Sequence, residues 1–123
     1  MSQPNELSAK DYQDIQNLYA LYNLSSDAAD SETYASCFTD NGVLEAPDIG
    51  ISVSGRDALI AHKERDKANR GNKYRRHWNG SLHLVMNPDG SVLGRCYLIA
   101  LSLIHISAPT RPRLISYAVF CLK

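Results

Sequence analysis

His77 is the residue in this chain whose type best suits moving a proton. It lies in the run Arg75–Leu84, RRHWNGSLHL. An imidazole titrates near neutral pH, so it can take a proton in a transition state without a metal or organic cofactor. The plain alternative is a histidine that packs or faces water, the usual fate of a lone histidine on a strand. Strand alternation bears on the choice. Leu82, Leu84 and Met86 share one parity and belong on one face, whereas His77 has the other. A regular strand would therefore turn His77 and His83 away from the leucines and bring Trp78 to them. Asn79-Gly80 is a natural place for a β-bulge. One extra residue there would return His77 to the leucine face.

Other candidates for chemistry have ordinary readings. His83 shares a mixed face with Ser81 and Val85. His62 is followed by Lys63 and Glu64 and reads as part of a solvated helix. Asp30 is a good helix N-cap. Cys37, Cys96 and Cys121 are odd in number, far apart and without a CxxC. That speaks against a disulfide framework or a zinc site and fits inert thiols in a reducing cytoplasm. The basic cluster Lys63, Arg65, Lys67, Arg70, Lys73, Arg75 and Arg76 is interrupted by Glu64 and Asp66. With no nucleic-acid motif and no overall basic charge, it reads as a solvated face. Arg75 and Arg76 could attract an anionic substrate. No apolar run is long enough to cross a bilayer, and MSQPNELSAKD is not a signal peptide.

The elements that must position His77 follow from pattern. A chain of 123 residues suits one domain with a modest core. Ser8 followed by Asp11 resembles a capping box, and Tyr12, Ile15, Leu18, Tyr19 and Tyr22 recur at helical spacing. The helix should end at Ser25-Ser26-Asp27. A short second helix follows Asp30, then the turn TDNG. Val43–Ala46 reads as a strand stopped by Pro47, and Ile51–Val53 as another. Gly55-Arg56-Asp57 opens a third helix, Ala58 to about Ala68. Two long strands, about Arg75–Met86 and Ser91–Leu101, are joined by Asn87-Pro88-Asp89-Gly90. Pro suits the second position of that turn, and Gly the left-handed position after it. Helices followed by antiparallel strands give an α+β class, with a curved sheet wrapped around the first helix.

Three pieces taken together resemble the SnoaL-like branch of the nuclear transport factor 2-like superfamily. They are DIQNLYALYNLSSDAADSETYASCFTDNGVLE, VSGRDALIAH, and RHWNGSLHL followed by NPDGSVLGRCYLIA. The resemblance implies a cone of three helices on a strongly bent antiparallel sheet, with a pocket between them. Its members include scytalone dehydratase, steroid isomerases, polyketide cyclases and a dehydrochlorinase. In the dehydratases and the dehydrochlorinase, an Asp near the end of the first helix pairs with a His on a central strand. By position these are Asp27 and His77. The resemblance thus implies a cofactor-independent lyase or isomerase in which His77 removes a proton and Asp27 orients the ring. The substrate would be a small, largely apolar carbonyl or hydroxy compound. Tyr19, Tyr22, Trp78 and Tyr97 are candidates to line its pocket. Where the dehydrochlorinase has a pocket lysine, this chain has Tyr22, which speaks against halide chemistry. Two further roles of the fold remain open: a non-catalytic ligand-binding or oligomerisation domain, and the small subunit of a ring-hydroxylating oxygenase. Relatives often form homo-oligomers through the sheet's outer face.

The resemblance runs over roughly Leu7 to Leu101, which sets the expected domain at residues 1–101. Residues 102–123, SLIHISAPTRPRLISYAVFCLK from Ser102 onward, lack the family's closing hairpin. The first 101 residues hold ten basic and all thirteen acidic groups, the rest three basic groups and no acid. The string resembles translated adapter sequence joined to a transcript. The alternative is a divergent last strand, with strand-like content over Leu114–Leu122 and a loop at Pro109 and Pro112. A foreign tail would leave the sheet without its native last strands.

Overall fold

The computed structural model describes residues 6–104 and 113–115. The expectations for the loop at Pro109 and Pro112 and for a strand beyond Ile115 lie outside the described residues.

Helix α1 spans Ala9–Ala28. Its start is the expected capping box: the Asp11 amide donates to Ser8 Oγ at 3.0 Å, and the Ser8 amide donates to Asp11 Oδ2 at 2.9 Å. The helix passes through Ser25-Ser26-Asp27, where the sequence predicts an end, and stops one residue later. Ala29 then takes a left-handed conformation, φ 53°, and the Asp30 amide returns to the Ser25 carbonyl. Asp30 caps α2, Ser31–Ser36, by accepting from the Thr33 amide. Strands β1, Val43–Ala46, and β2, Ile51–Ser54, pair antiparallel across a 3-10 turn at Pro47–Ile49. Helix α3 runs Arg56–Asn69, starting two residues before the expected Ala58.

Strands β3, Lys73–Met86, β4, Val92–Ile104, and β5, Arg113–Ile115, form an antiparallel meander. The β3–β4 turn is the expected one: the Gly90 amide donates to the Asn87 carbonyl, and Gly90 has φ 87°. The architecture is the expected α+β, three helices packed on antiparallel sheets. Two cores hold it together. Ile15 and Tyr19 of α1 meet Leu84, Val92 and Cys96 of β3 and β4. Tyr34, Ala35 and Leu59 form the second, walled by Tyr22, Phe38, Leu44, Val53 and Ile60. Helix α1 therefore serves both cores, turning Tyr19 to the sheet and Tyr22 to α2 and α3. Among the described residues, no helix is long and apolar enough to cross a membrane.

Candidate active site

The parity conflict in β3 is resolved by a bulge. Gly80 pairs with Tyr97 and His83 with Arg95, so three steps along β3 match two along β4. Ser81, not Gly80, takes the left-handed backbone, φ 56°. The extra residue puts Arg75, His77 and Asn79 on the same face as Leu82 and Leu84. Asn79 shows this directly: it accepts a hydrogen bond from Asn23 of α1 and lies 3.1 Å from the sulfur of buried Cys96.

On that face His77 meets Asp27. The ring Nδ1 lies 2.5 Å from Asp27 Oδ1, and the His77 backbone amide donates to Asp27 Oδ2 at 3.2 Å. One carboxylate thus holds both the ring and the strand beneath it. An ionised carboxylate only accepts, so Nδ1 carries the proton and Nε2 of the neutral ring is the bare acceptor. Nε2 makes no hydrogen bond to the described residues. The two side chains keep 17% and 11% of their surface in contact with solvent, so the pair is sheltered but reachable.

Asp27 sits in the last turn of α1, where a negative charge opposes the helix dipole and where the sequence offers no basic residue. Arg70, at the end of α3, supplies the missing charge from outside. Its guanidinium donates to the Ser26 and Asp27 carbonyls, and to Asp66 Oδ2 at 2.8 Å. Asp66 also accepts from Lys63 at 3.3 Å and from Arg75 of β3. Lys63 in turn donates to Ser26 Oγ at 2.9 Å, and its ammonium stands 4.4 Å above the Tyr34 ring. This network ties α1, α3 and β3 together around the pair. Burial is the largest influence on Asp66 and pushes its pKa up. The hydrogen bond from Arg70 and the charges of Lys63, Arg75 and Arg70 outweigh it and hold the carboxyl below its usual range. Burial lowers the Lys63 pKa, against the pull of Asp66.

Two clefts meet at His77. The first, of about 680 Å³, runs between α1 and the bulged part of β3, and Tyr19, Asn23, Leu24, Asp27, Trp78 and Leu82 are among its walls. The second, of about 840 Å³, lies between α3 and the paired ends of β3 and β4, with His62, Lys63, Arg65, Asp66, Lys73 and Arg75 along it.

Of the residues picked from sequence, the structure brings Asp27, His77, Tyr19 and Trp78 to the first cleft. It does not bring Tyr22 or Tyr97 there. Tyr22 packs on Tyr34 and Phe38, its hydroxyl 3.3 Å from that of Tyr34. Tyr97 is exposed, because odd positions of β4 point away from Gly94 and Cys96. His83 is also on that outer side, beside Arg95. Glu64, Arg65 and Lys67 are exposed as expected, but for His62 and the stripe Lys63, Asp66 and Arg70 the expectation of a solvated face is corrected by burial. Lys63 is almost fully enclosed, His62 is half-buried, and burial followed by the charges of Lys63 and Arg65 lowers the His62 pKa. The spacing of Lys63, Asp66 and Arg70 at i, i+3 and i+7 is the sign that one inward stripe carries them.

Three helices over antiparallel strands thus hold a carboxylate–imidazole pair between α1 and the bulged β3. The chain matches the SnoaL-like domain family over residues 8–121 and belongs to that family. Its structural neighbours include ActVI-ORFA from Streptomyces coelicolor, at 22% identity and a TM-score of 0.71 over 86% of this chain and 78% of that one. A Catenulispora acidiphila protein in complex with S-DNPA is similar at 24% identity and a TM-score of 0.70, over 87% of this chain and 78% of that one. A provisionally assigned scytalone dehydratase from Novosphingobium aromaticivorans is similar at 16% identity and a TM-score of 0.68, over 88% of this chain and 68% of that one. No curated protein matches the chain.

Proposed function

We propose that this protein is a cofactor-independent lyase or isomerase in which His77 removes a proton from a small carbonyl or hydroxy compound. The observation that carries the reading is the bond between Asp27 and His77 Nδ1 at 2.5 Å, made beside an open cleft. Asp27 fixes the tautomer that leaves Nε2 as base and stabilises the imidazolium formed when the proton arrives. Abstraction beside a carbonyl gives an enolate. Return of the proton to another carbon completes an isomerisation; alternatively the enolate expels a β-hydroxyl that takes the proton back from the His77 imidazolium and leaves as water, which completes a dehydration and restores the neutral base. The largely apolar walls of the first cleft suit the body of such a compound. The names of the structural neighbours, a scytalone dehydratase assignment and a small-molecule complex among them, agree with a small-molecule site.

The test is a panel of small β-hydroxy carbonyl compounds followed by ultraviolet absorbance of the unsaturated product, with the protein and its His77→Ala variant side by side. Turnover that His77→Ala loses by about 10²–10⁴-fold supports the reading. Equal turnover by the two removes His77 from the mechanism and leaves a binding domain.

A further inference from the structure

The first cleft explains an apolar substrate body, but His77 also borders the second cleft, whose character differs. Lys63, Arg65, Lys73 and Arg75 line it against a single acid, Asp66. That acid is already shared among Lys63, Arg70 and Arg75. The network around Asp66 and Asp27 therefore holds three cations, the enclosed Lys63 and Arg70 and the half-exposed Arg75, against those two carboxylates. With a neutral His77 it keeps one positive charge more than negative. Lys63 and Arg70 are nearly stripped of water, where an uncompensated charge is costly. Arg65 and Lys73 add two further positive charges at the rim, and a cleft with low-dielectric walls focuses such a field.

Arg75 is the group placed to use that field. Its side chain is 41% exposed, and Asp66 engages only its Nη1. The rest of its planar fork makes no hydrogen bond to the described residues, and a guanidinium favours taking a carboxylate in a bidentate way. Arg75 and His77 stand two residues apart on one face of β3, about 7 Å along the strand. A carboxylate on Arg75 therefore leaves a carbon a few bonds away within reach of His77. Arg65 and Lys73 are exposed and screened by water, so the surplus within the network itself stays at one charge and matches a monoanion rather than a phosphate dianion.

We infer that the second cleft holds the carboxylate of the substrate, seated on Arg75 with Lys73 and Arg65 at its rim, so that the substrate is a small carboxylic acid with its acidic C–H a few bonds from that group. This rests on the reading of His77 as the base. The same positive cluster stabilises the enolate charge that develops as His77 takes the proton.

The test uses the full chain and three probes of one shape: benzoate, benzamide and phenyl phosphate, titrated while backbone amide resonances are followed. Benzoate should bind and shift the amides of residues 73–77 and the second half of α3, with benzamide weaker by about tenfold or more. Arg75→Gln should weaken benzoate about tenfold. Because Arg75 also braces Asp66, Lys73→Gln and Arg65→Gln provide exposed controls, and each should weaken benzoate by a smaller factor with the fold intact. His77→Gln should keep benzoate binding, which separates this site from the proton-transfer reading. Retained benzoate binding without His77-dependent turnover of any acid would remove the reaction and leave the anion site standing. Equal binding of benzamide, tighter binding of phenyl phosphate, or benzoate affinity unchanged in all three cation variants would overturn the assignment.

Discussion

Gly94 lies in β4 opposite Leu84, at the point where α1 presses on the sheet. A Cβ added there would stand 2.5 Å from Tyr19 Oη, 3.2 Å from Leu84 Cδ2 and 3.5 Å from Tyr19 Cζ. Carbon contacts settle near 3.5 Å, so the phenol oxygen would have to retreat by about 1 Å. The ring is rigid and enclosed by Ile15, Leu84, Val92 and Cys96, so the retreat must move α1 or the sheet. Overpacking of this kind costs roughly 1–3 kcal/mol, and the reduced freedom of the unfolded chain returns about 0.4–1 kcal/mol. Gly94→Ala should therefore lose about 1–2 kcal/mol on those same terms. Tyr19→Phe removes the clashing oxygen and leaves the ordinary contact to Cζ and the milder crowding of Leu84 Cδ2. In a double-mutant cycle by urea denaturation, Gly94→Ala should cost at least about 1 kcal/mol less in the Tyr19→Phe background than in the wild type. A Gly94→Ala protein as stable as the wild type, or strictly additive losses, would show that the phenol does not fill the space of the missing side chain.

Further outcomes follow from the same contacts. Asp66 has a depressed carboxyl pKa, so its stabilising charge is present above the unfolded value, near 3.8, and is lost as pH falls through the lower folded value. Asp66→Asn should cost roughly 3 kcal/mol at neutral pH, because it leaves Lys63 and Arg70 enclosed without their acid, and should flatten the fall in stability below about pH 4. Denaturation midpoints at several pH values check both. The left-handed backbone at Ser81 costs a side chain about 1 kcal/mol, so Ser81→Gly should stabilise by about that amount and Ser81→Val should destabilise. Gly80→Ala should be nearly neutral, since a Cβ there meets nothing within 4 Å. Thermal melts of the three variants separate these outcomes.

Local signals in the sequence carry far where a physical rule is short-ranged. Ser8 and Asp11 spell out their own capping box, and Asn87–Gly90 its own turn. The clash of parity between His77 and Leu82 marks Asn79-Gly80 as the place for a bulge, and the register shifts there, but parity alone leaves open a regular strand that turns His77 outward. Which residue adopts the left-handed backbone is not legible: Gly80 looks suited to it, and the pairing with β4 places it at Ser81. The charged half of α3 misleads for a different reason. Density of Lys, Arg, Asp and Glu usually means solvent, but here one stripe of it closes on the end of α1, where Arg70 takes up the Ser26 and Asp27 carbonyls. Tyr22 and Tyr19 share a stripe in sequence yet enter two cores, since α1 is wedged between the sheet and α2. The meeting of Asp27 with His77, fifty residues away, comes from the family resemblance rather than from either residue's neighbours.

The central claim is that His77, oriented by Asp27, takes a proton from carbon. Deuterium uptake at the carbon beside a carbonyl, followed by proton NMR in heavy water, reads that step without any leaving group. The account predicts uptake catalysed by the protein, reduced about 10²–10⁴-fold in His77→Gln, and clearly reduced in Asp27→Asn, whose amide no longer holds Nδ1 protonated. Uptake that is equally fast in His77→Gln would contradict it.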